Sequence, residues 1–231
     1  DVDTSIFYKW LGVNRGMNAG VYFFIALPLL TAFAYSWSVS YDRNSGYISQ
    51  IITRTSRKKY FTAKFLVTFI SSGIIFAGAL ILDYVLLAIF SPAYTPIPGD
   101  LASSMDPFHF CSEIFYQNPY LFMLIWFGIA FLWGGAMSCI SMAAGMLIKK
   151  YVISSIVPFL VFTAEQILAL YVMQRYTITI KGTSIGLVWT DMLYAAPMTT
   201  SFPEHILLCI ALIIMISTLI YILRGRKYEC L

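Results

Sequence analysis

Runs of predominantly apolar residues alternate along this chain with short polar stretches. Five runs are long enough to cross a hydrocarbon core: residues 21–40, 65–90, 120–148, 152–174 and 206–223. A spanning helix needs about 20 predominantly apolar residues. None of the runs keeps the two-residue alternation of a barrel strand, and backbone polar groups in lipid must be bonded within their own segment, so each run predicts an α-helix. The expected fold is all-α, a single polytopic transmembrane helical bundle over residues 1–231. Composition points the same way: 11% of the residues are charged and 59% hydrophobic, where a soluble domain carries about a quarter charged.

Charge then orients the bundle, because basic residues near span ends are retained on the cytoplasmic side. Eleven of the fifteen basic residues fall in 41–64, at 149–150 and in 224–231. The opposite connections hold Lys9, Arg15, Arg175 and Lys181 against seven acids. The C-terminal tail, 224–231, is therefore expected in the cytoplasm, with the bundle in the plasma membrane. Five spans then put Asp1 outside, and no basic leader precedes the first run, so a further span is expected ahead of residue 1, six in all. The net charge of +4 reflects this asymmetry and gives no reason to invoke nucleic acid.

Between the spans the signals are local. The outer segment 1–20 carries Gly12, Gly16 and Gly20 as breakers, and its Tyr8 and Trp10 suit an aromatic belt at the membrane surface. The outer loop 91–119 begins Pro-rich and irregular and ends in a stretch fit for a short interfacial helix. In the outer loop 175–205, "TITIKGTSI" resembles a small hairpin around Lys181 and Gly182. Pro28 and Pro158 lie inside spans, where each removes a backbone bond. Gly134, Gly135, Ser138, Ser141, Ala144 and Gly145 offer a small-residue surface for close helix packing. The four cysteines share no outer loop, so no disulfide is expected, and no metal-ligating spacing surrounds His109.

The stretch 41–64, "YDRNSGYISQIITRTSRKKYFTAK", is the one long block that lipid would reject. Asn44 or Ser45 can cap a short helix in which Tyr47, Ile48, Ile51 and Ile52 share one side and Ser49, Gln50 and Thr53 the other. Ser56 can cap the span that follows. By periodicity alone the apolar side fits either an anionic lipid surface or a groove on another protein.

The order of features is a span, an acid-x-x-x-Gly element, a short amphipathic helix, "TRTSRKKY", a Lys and a long span. It resembles the permease subunit of type-2 ABC transporters, also called type V exporters. Asp42 to Gly46 stands for that family's Glu-x-x-x-Gly element, with Asp in place of the usual Glu. Arg54, Ser56, Arg57, Tyr60 and Lys64 match the loop that follows it. The resemblance implies that the short helix is a coupling helix, docked through Ile48, Ile51 and Ile52 on a separate ATP-binding subunit that holds ATP and Mg. It further implies a dimer, with a second copy or a related permease, whose interface forms the path of an exporter in a bacterial membrane. The chain contains no Gly-Lys pair and hence no phosphate loop, so no ATP site, other cofactor or enzymatic activity of its own is expected.

Two other patterns compete. Asp83 and Glu165 are the carboxylates inside spans, and with Gln166 they are candidate pathway residues. A charge at mid-bilayer costs about 2.5–3.5 kcal/mol on insertion scales, so both are expected to face the bundle interior or water. An ion- or proton-coupled secondary transporter is therefore the alternative. "GTSIG", 182–186, fits G-x-S-x-G, and Asp191 and His205 follow in hydrolase order. That pattern needs a strand-to-helix elbow on a large sheet, so a chance match is the better reading and a membrane hydrolase using Ser184 the weakest.

Overall fold

The structure is a computed structural model that describes residues 5–10, 18–98, 111–148, 150–175, 179–180, 183–184 and 203–226. In chain order the elements are α1 (Ile6–Lys9), α2 (Asn18–Tyr35), α3 (Trp37–Asn44), α4 (Tyr47–Arg54), α5 (Arg57–Phe90), α6 (Ser112–Gln117), α7 (Pro119–Leu147), α8 (Tyr151–Arg175), the strands β1 (Thr179–Ile180) and β2 (Thr183–Ser184), and α9 (Pro203–Arg226).

The chain is helical, as its pattern requires. Three stretches among the described residues are long and apolar enough to cross a membrane: Arg57–Phe90, Pro119–Leu147 and Leu207–Gly225. They contain or match the expected spans 65–90, 120–148 and 206–223. The apolar window of α7 is 61% buried against 22% for each of the other two, so α7 is packed by protein while α5 and α9 leave most of their apolar surface for lipid. The expected span 152–174 falls within α8, whose described apolar part is Tyr151–Ala164. The expected span 21–40 is divided at Ser36. There the side chain hydrogen-bonds the Ala32 carbonyl and lies 2.8 Å from Ser141 Oγ, offering the backbone an alternative to the helical ladder.

The chain forms two compact units. The first comprises Asp1–Ile25, Ala77–Ala130 and Thr163–Cys209. Its Tyr8 and Trp10 do not form an exposed aromatic belt; both are buried. Trp10 Nε1 donates to the Leu80 carbonyl at 3.3 Å, and its ring meets Phe127 edge-on at 5.6 Å. The Tyr8 hydroxyl accepts from the Ile97 N–H at 3.0 Å, and Ser5 Oγ donates to the Tyr94 carbonyl at 2.8 Å. Aromatic burial is strongly favourable once the indole N–H and phenol oxygen find partners. The Leu80 carbonyl within α5 serves Trp10, and the irregular Pro-rich stretch after α5 serves Tyr8 and Ser5 with backbone groups that no helix consumes. The short α6 follows Cys111, at φ 51°, and α7 begins on Pro119, where a missing N–H costs nothing. β1 and β2 form the expected hairpin, with Thr179 opposite Ser184 and Ile180 opposite Thr183.

The second unit comprises Ala26–Phe76, Phe131–Phe162 and Ile210–Leu231. Val39, Cys139, Met142, Met146 and Tyr221 form its core, with Phe61, Phe65 and Phe69 packed against them. The small-residue surface of α7 allows a backbone-to-backbone crossing with α5. A Cβ on Gly134 would lie 2.8 Å from the Ser72 carbonyl oxygen, and one on Gly73 would lie 2.8 Å from that of Phe131. Gly145 similarly makes room for Ser40, whose Oγ would be 2.7 Å from a Cβ there. Buried serines connect α3, α7 and α8: the Ser40 and Ser154 hydroxyls are 2.9 Å apart, and Ser141 Oγ donates to the Ser154 carbonyl at 3.1 Å. Such hydrogen bonds join helices where apolar surface gives no drive for association in lipid.

Candidate functional site

The polar block folds as α3, a turn and α4 ahead of α5. At the end of α3 the Ser45 N–H donates to the Tyr41 carbonyl at 2.9 Å and the Gly46 N–H to the Arg43 carbonyl at 3.4 Å. Gly46 sits at φ 72° and ψ 5°, the left-handed conformation, and caps α4. Neither Asn44 nor Ser45 is that cap, contrary to the sequence expectation; Ser45 Oγ turns back to the Asp42 carbonyl at 3.3 Å. The acid-x-x-x-Gly spacing thus has a physical meaning. Gly46 ends α3 and reverses the chain in a conformation that Cβ-bearing residues resist.

No atom lies within 4 Å of a Cβ built on Gly46. Gly46→Ala is therefore expected to add backbone strain without a clash and to cost about 1–2 kcal/mol. Thermal unfolding in detergent measures that loss, with Gly46→Asn expected to recover part of it.

Asp42 is the hub of the site. Its Oδ2 accepts a hydrogen bond from the Tyr60 hydroxyl at 2.6 Å and pairs with Lys64 Nζ at 2.5 Å. Lys64 Nζ also reaches the Tyr35 hydroxyl at 3.4 Å and lies 4.8 Å from the centre of the Tyr35 ring, within cation–π range. The Asp42 and Lys64 side chains are 11% and 10% exposed, so the ion pair is shielded from most solvent screening. Tyr60 and Lys64 are one turn apart on the same face of α5, and Asp42 lies on α3. The hub therefore closes residues 42–64 on themselves, with α4 held between the two bonded ends. Arg43 Nη1 donates to the Met146 carbonyl at 3.0 Å, satisfying one of the last acceptors of α7 and fastening α3 to it. A recess of about 500 Å³ opens over the pair, lined by Tyr35, Tyr41, Ser45, Tyr47 and Gln50 together with Asp42 and Lys64.

The sides of α4 differ from a simple apolar docking face. Ile48 is completely buried in the chain's own fold, Ile51 and Ile52 are half-buried, and Tyr47, Gln50, Thr53 and Arg54 are exposed. Ile48 is thus an internal anchor, unavailable to another protein. The outward surface is formed by Tyr47, Gln50, Ile51 and Arg54, which with Ser49 and Thr53 line a shallow recess of about 530 Å³. Ser56 precedes α5, and its carbonyl accepts from the Tyr60 N–H at 3.2 Å; Arg57, half-buried, is the first residue of that helix.

Of the residues singled out by sequence, Asp42, Tyr60 and Lys64 meet in one network, Gly46 shapes its turn and Ile48 seats its helix. Sequence reasoning passes over Tyr35 and Arg43. The position of Tyr35, seven residues before Asp42, is a helical-face signal that points to it; nothing local announces the bond from Arg43 to Met146. Asp83 is half-buried on α5 in the first unit. Glu165 and Gln166 are on α8, with side chains outside the described residues. Ser184 ends a two-residue strand; Asp191 and His109 lie outside the described residues, as does the side chain of His205. Among the described residues, no three His, Cys, Asp or Glu side chains gather as metal ligands. Set against family models, curated proteins and solved structures, the chain matches none.

Proposed function

We propose that this chain is the membrane-spanning permease subunit of a type-2 ABC transporter, an exporter of the plasma membrane. In this reading α4 is the coupling helix for a separate ATP-binding subunit that carries ATP and Mg. The observation behind it is the hub formed by Asp42, Tyr60 and Lys64. A helix that takes up force from a partner must be joined stiffly to the span it moves. Here Asp42, on the helix that precedes α4, is bonded to two residues that follow it, and an Asp is long enough to reach both.

The outward face of α4 adds support. Tyr and Arg are enriched in protein-contact hot spots, and Tyr47 and Arg54 stand exposed beside Gln50 and a half-buried Ile51. A helix lying on lipid would keep its apolar stripe outward, whereas Ile48 faces inward with none of its surface exposed. On ATP-driven closure the partner displaces α4, and the clamp passes that motion to α5. The substrate path then opens at the interface of a permease dimer, built from a second copy or a related chain, with Asp83, Glu165 and Gln166 as candidate lining groups.

The detergent-solubilised complex from its native membrane is expected to contain an ATP-binding subunit and to hydrolyse ATP. Tyr47→Asp, at a side chain 47% exposed, is expected to lower the retained ATPase about tenfold, equivalent to roughly 1.4 kcal/mol of affinity. Ile51→Asp should act in the same direction, with the elution volume of the helical bundle unchanged for both. Full retention of ATPase by both variants would remove α4 from this role, and proton-driven transport by the chain without an ATPase would replace the whole reading.

A further inference from the structure

At the basic ends of α5 and α9, within the second unit, the two helices leave a groove of about 540 Å³. Phe61, Thr62, Tyr221, Ile222 and Gly225 form its walls, and Arg57 and Lys58 stand at one rim. The floor is an aromatic contact: the Phe61 and Tyr221 rings meet edge-on at 5.5 Å, and the Tyr221 hydroxyl donates to the Phe61 carbonyl at 3.4 Å. That bond uses the polar end of Tyr221 and leaves apolar ring surface toward the groove. Gly225 keeps the space open, since a Cβ there would already touch the Phe61 ring at 3.6 Å and a longer side chain would fill it.

The charge and shape of this groove select an amphiphile. Its walls continue along α5 and α9 into exposed apolar residues such as Leu66, Ile70 and Leu219, the surface left for lipid. Its other end carries cations. A soluble anion would gain only the rim, and a neutral lipid only the walls. We propose that the groove holds an anionic phospholipid from the leaflet that bathes the basic ends of α5 and α9. One acyl chain lies along Phe61, Tyr221 and Ile222, and the phosphate sits at Arg57 and Lys58. Basic pockets between spanning helices are suited to such headgroups, and the volume is within the roughly 300–1,000 Å³ of small-molecule sites.

The test reconstitutes the protein in bilayers of phosphatidylglycerol and phosphatidylcholine, re-extracts it and counts the retained lipids by native mass spectrometry. Wild-type protein is expected to retain phosphatidylglycerol preferentially. Lys58→Gln should reduce that preference about fivefold, and adding Arg57→Gln should reduce it further. Ile222→Trp, placed where the side chain is already 44% exposed, should block the slot and lower retention of both lipids. Lys59→Gln makes the same charge change one residue along, outside the groove lining, and should leave the preference intact. An equal loss with Lys59→Gln would show the diffuse attraction of a basic surface and overturn the site, as would undiminished preference in the Arg57→Gln, Lys58→Gln double variant. These readouts involve neither ATP hydrolysis nor a partner on α4, so they stand or fall apart from the proposed coupling role.

Discussion

Alanine in place of Asp42 is expected to cost about 3 kcal/mol of stability, and methionine in place of Lys64 a similar amount. Each change leaves one charge without the partner it has at 2.5 Å, in a site where about a tenth of either side chain is exposed. Removing one member of a buried pair costs about 3–5 kcal/mol. The lower end applies because the recess over the pair gives the survivor an edge of water. Losing Asp42 also strands the Tyr60 hydroxyl, whose bond to a charged acceptor contributes about 1.5–3 kcal/mol. The double variant Asp42→Ala, Lys64→Met removes both charges and is expected to be more stable than the sum of the singles predicts, with a coupling of about 1–3 kcal/mol. Thermal unfolding of the four proteins in one detergent, followed by tryptophan fluorescence, completes the cycle. Simple additivity would reduce the pair to the roughly 0–1 kcal/mol of a surface contact and would leave nothing to stiffen the junction of α4 with α5.

Valine at Gly134 is expected to prevent recovery of folded protein. A Cβ there would lie 2.7 Å from Phe76 Cβ and 2.8 Å from the Ser72 carbonyl oxygen. Neither obstacle is the end of a flexible side chain, so α5 and α7 would have to separate. Overpacking costs about 1–3 kcal/mol where side chains can adjust, and more where they cannot. Gly135 provides the comparison: the nearest atoms to its Cβ would be those of the Phe69 ring, at 2.5 Å, which can turn aside. Gly135→Ala is therefore expected to be milder than Gly134→Ala. Gly128→Ala meets nothing within 4 Å and should be neutral or stabilising by up to about 1 kcal/mol through helix propensity. The monodisperse fraction after extraction ranks the variants; equal recovery for Gly134→Val and Gly128→Ala would refute the close crossing.

Much of the architecture was legible without coordinates because lipid imposes a one-dimensional demand. An uninterrupted apolar run of about 20 residues suffices to announce a span, and α5, α7 and α9 announced themselves in this way. The short helix after Gly46 was equally legible from its periodicity. Tyr60 and Lys64, four residues apart, share one helical face, but their common partner Asp42 is not announced by that spacing.

Tertiary structure decided which atoms meet. Periodicity puts Ile48, Ile51 and Ile52 on one side of α4 without saying what covers it, and the fold itself covers Ile48. Tyr8 and Trp10 have the composition of an interfacial belt, but carbonyl and amide groups roughly seventy to ninety residues away determine that they are buried. The break at Ser36 coincides with a contact to Ser141, 105 positions along the chain. Local pattern reports how a segment satisfies its own backbone and which face is apolar. The partner of a buried polar group is a matter of proximity in space, and only the packed helices supply it.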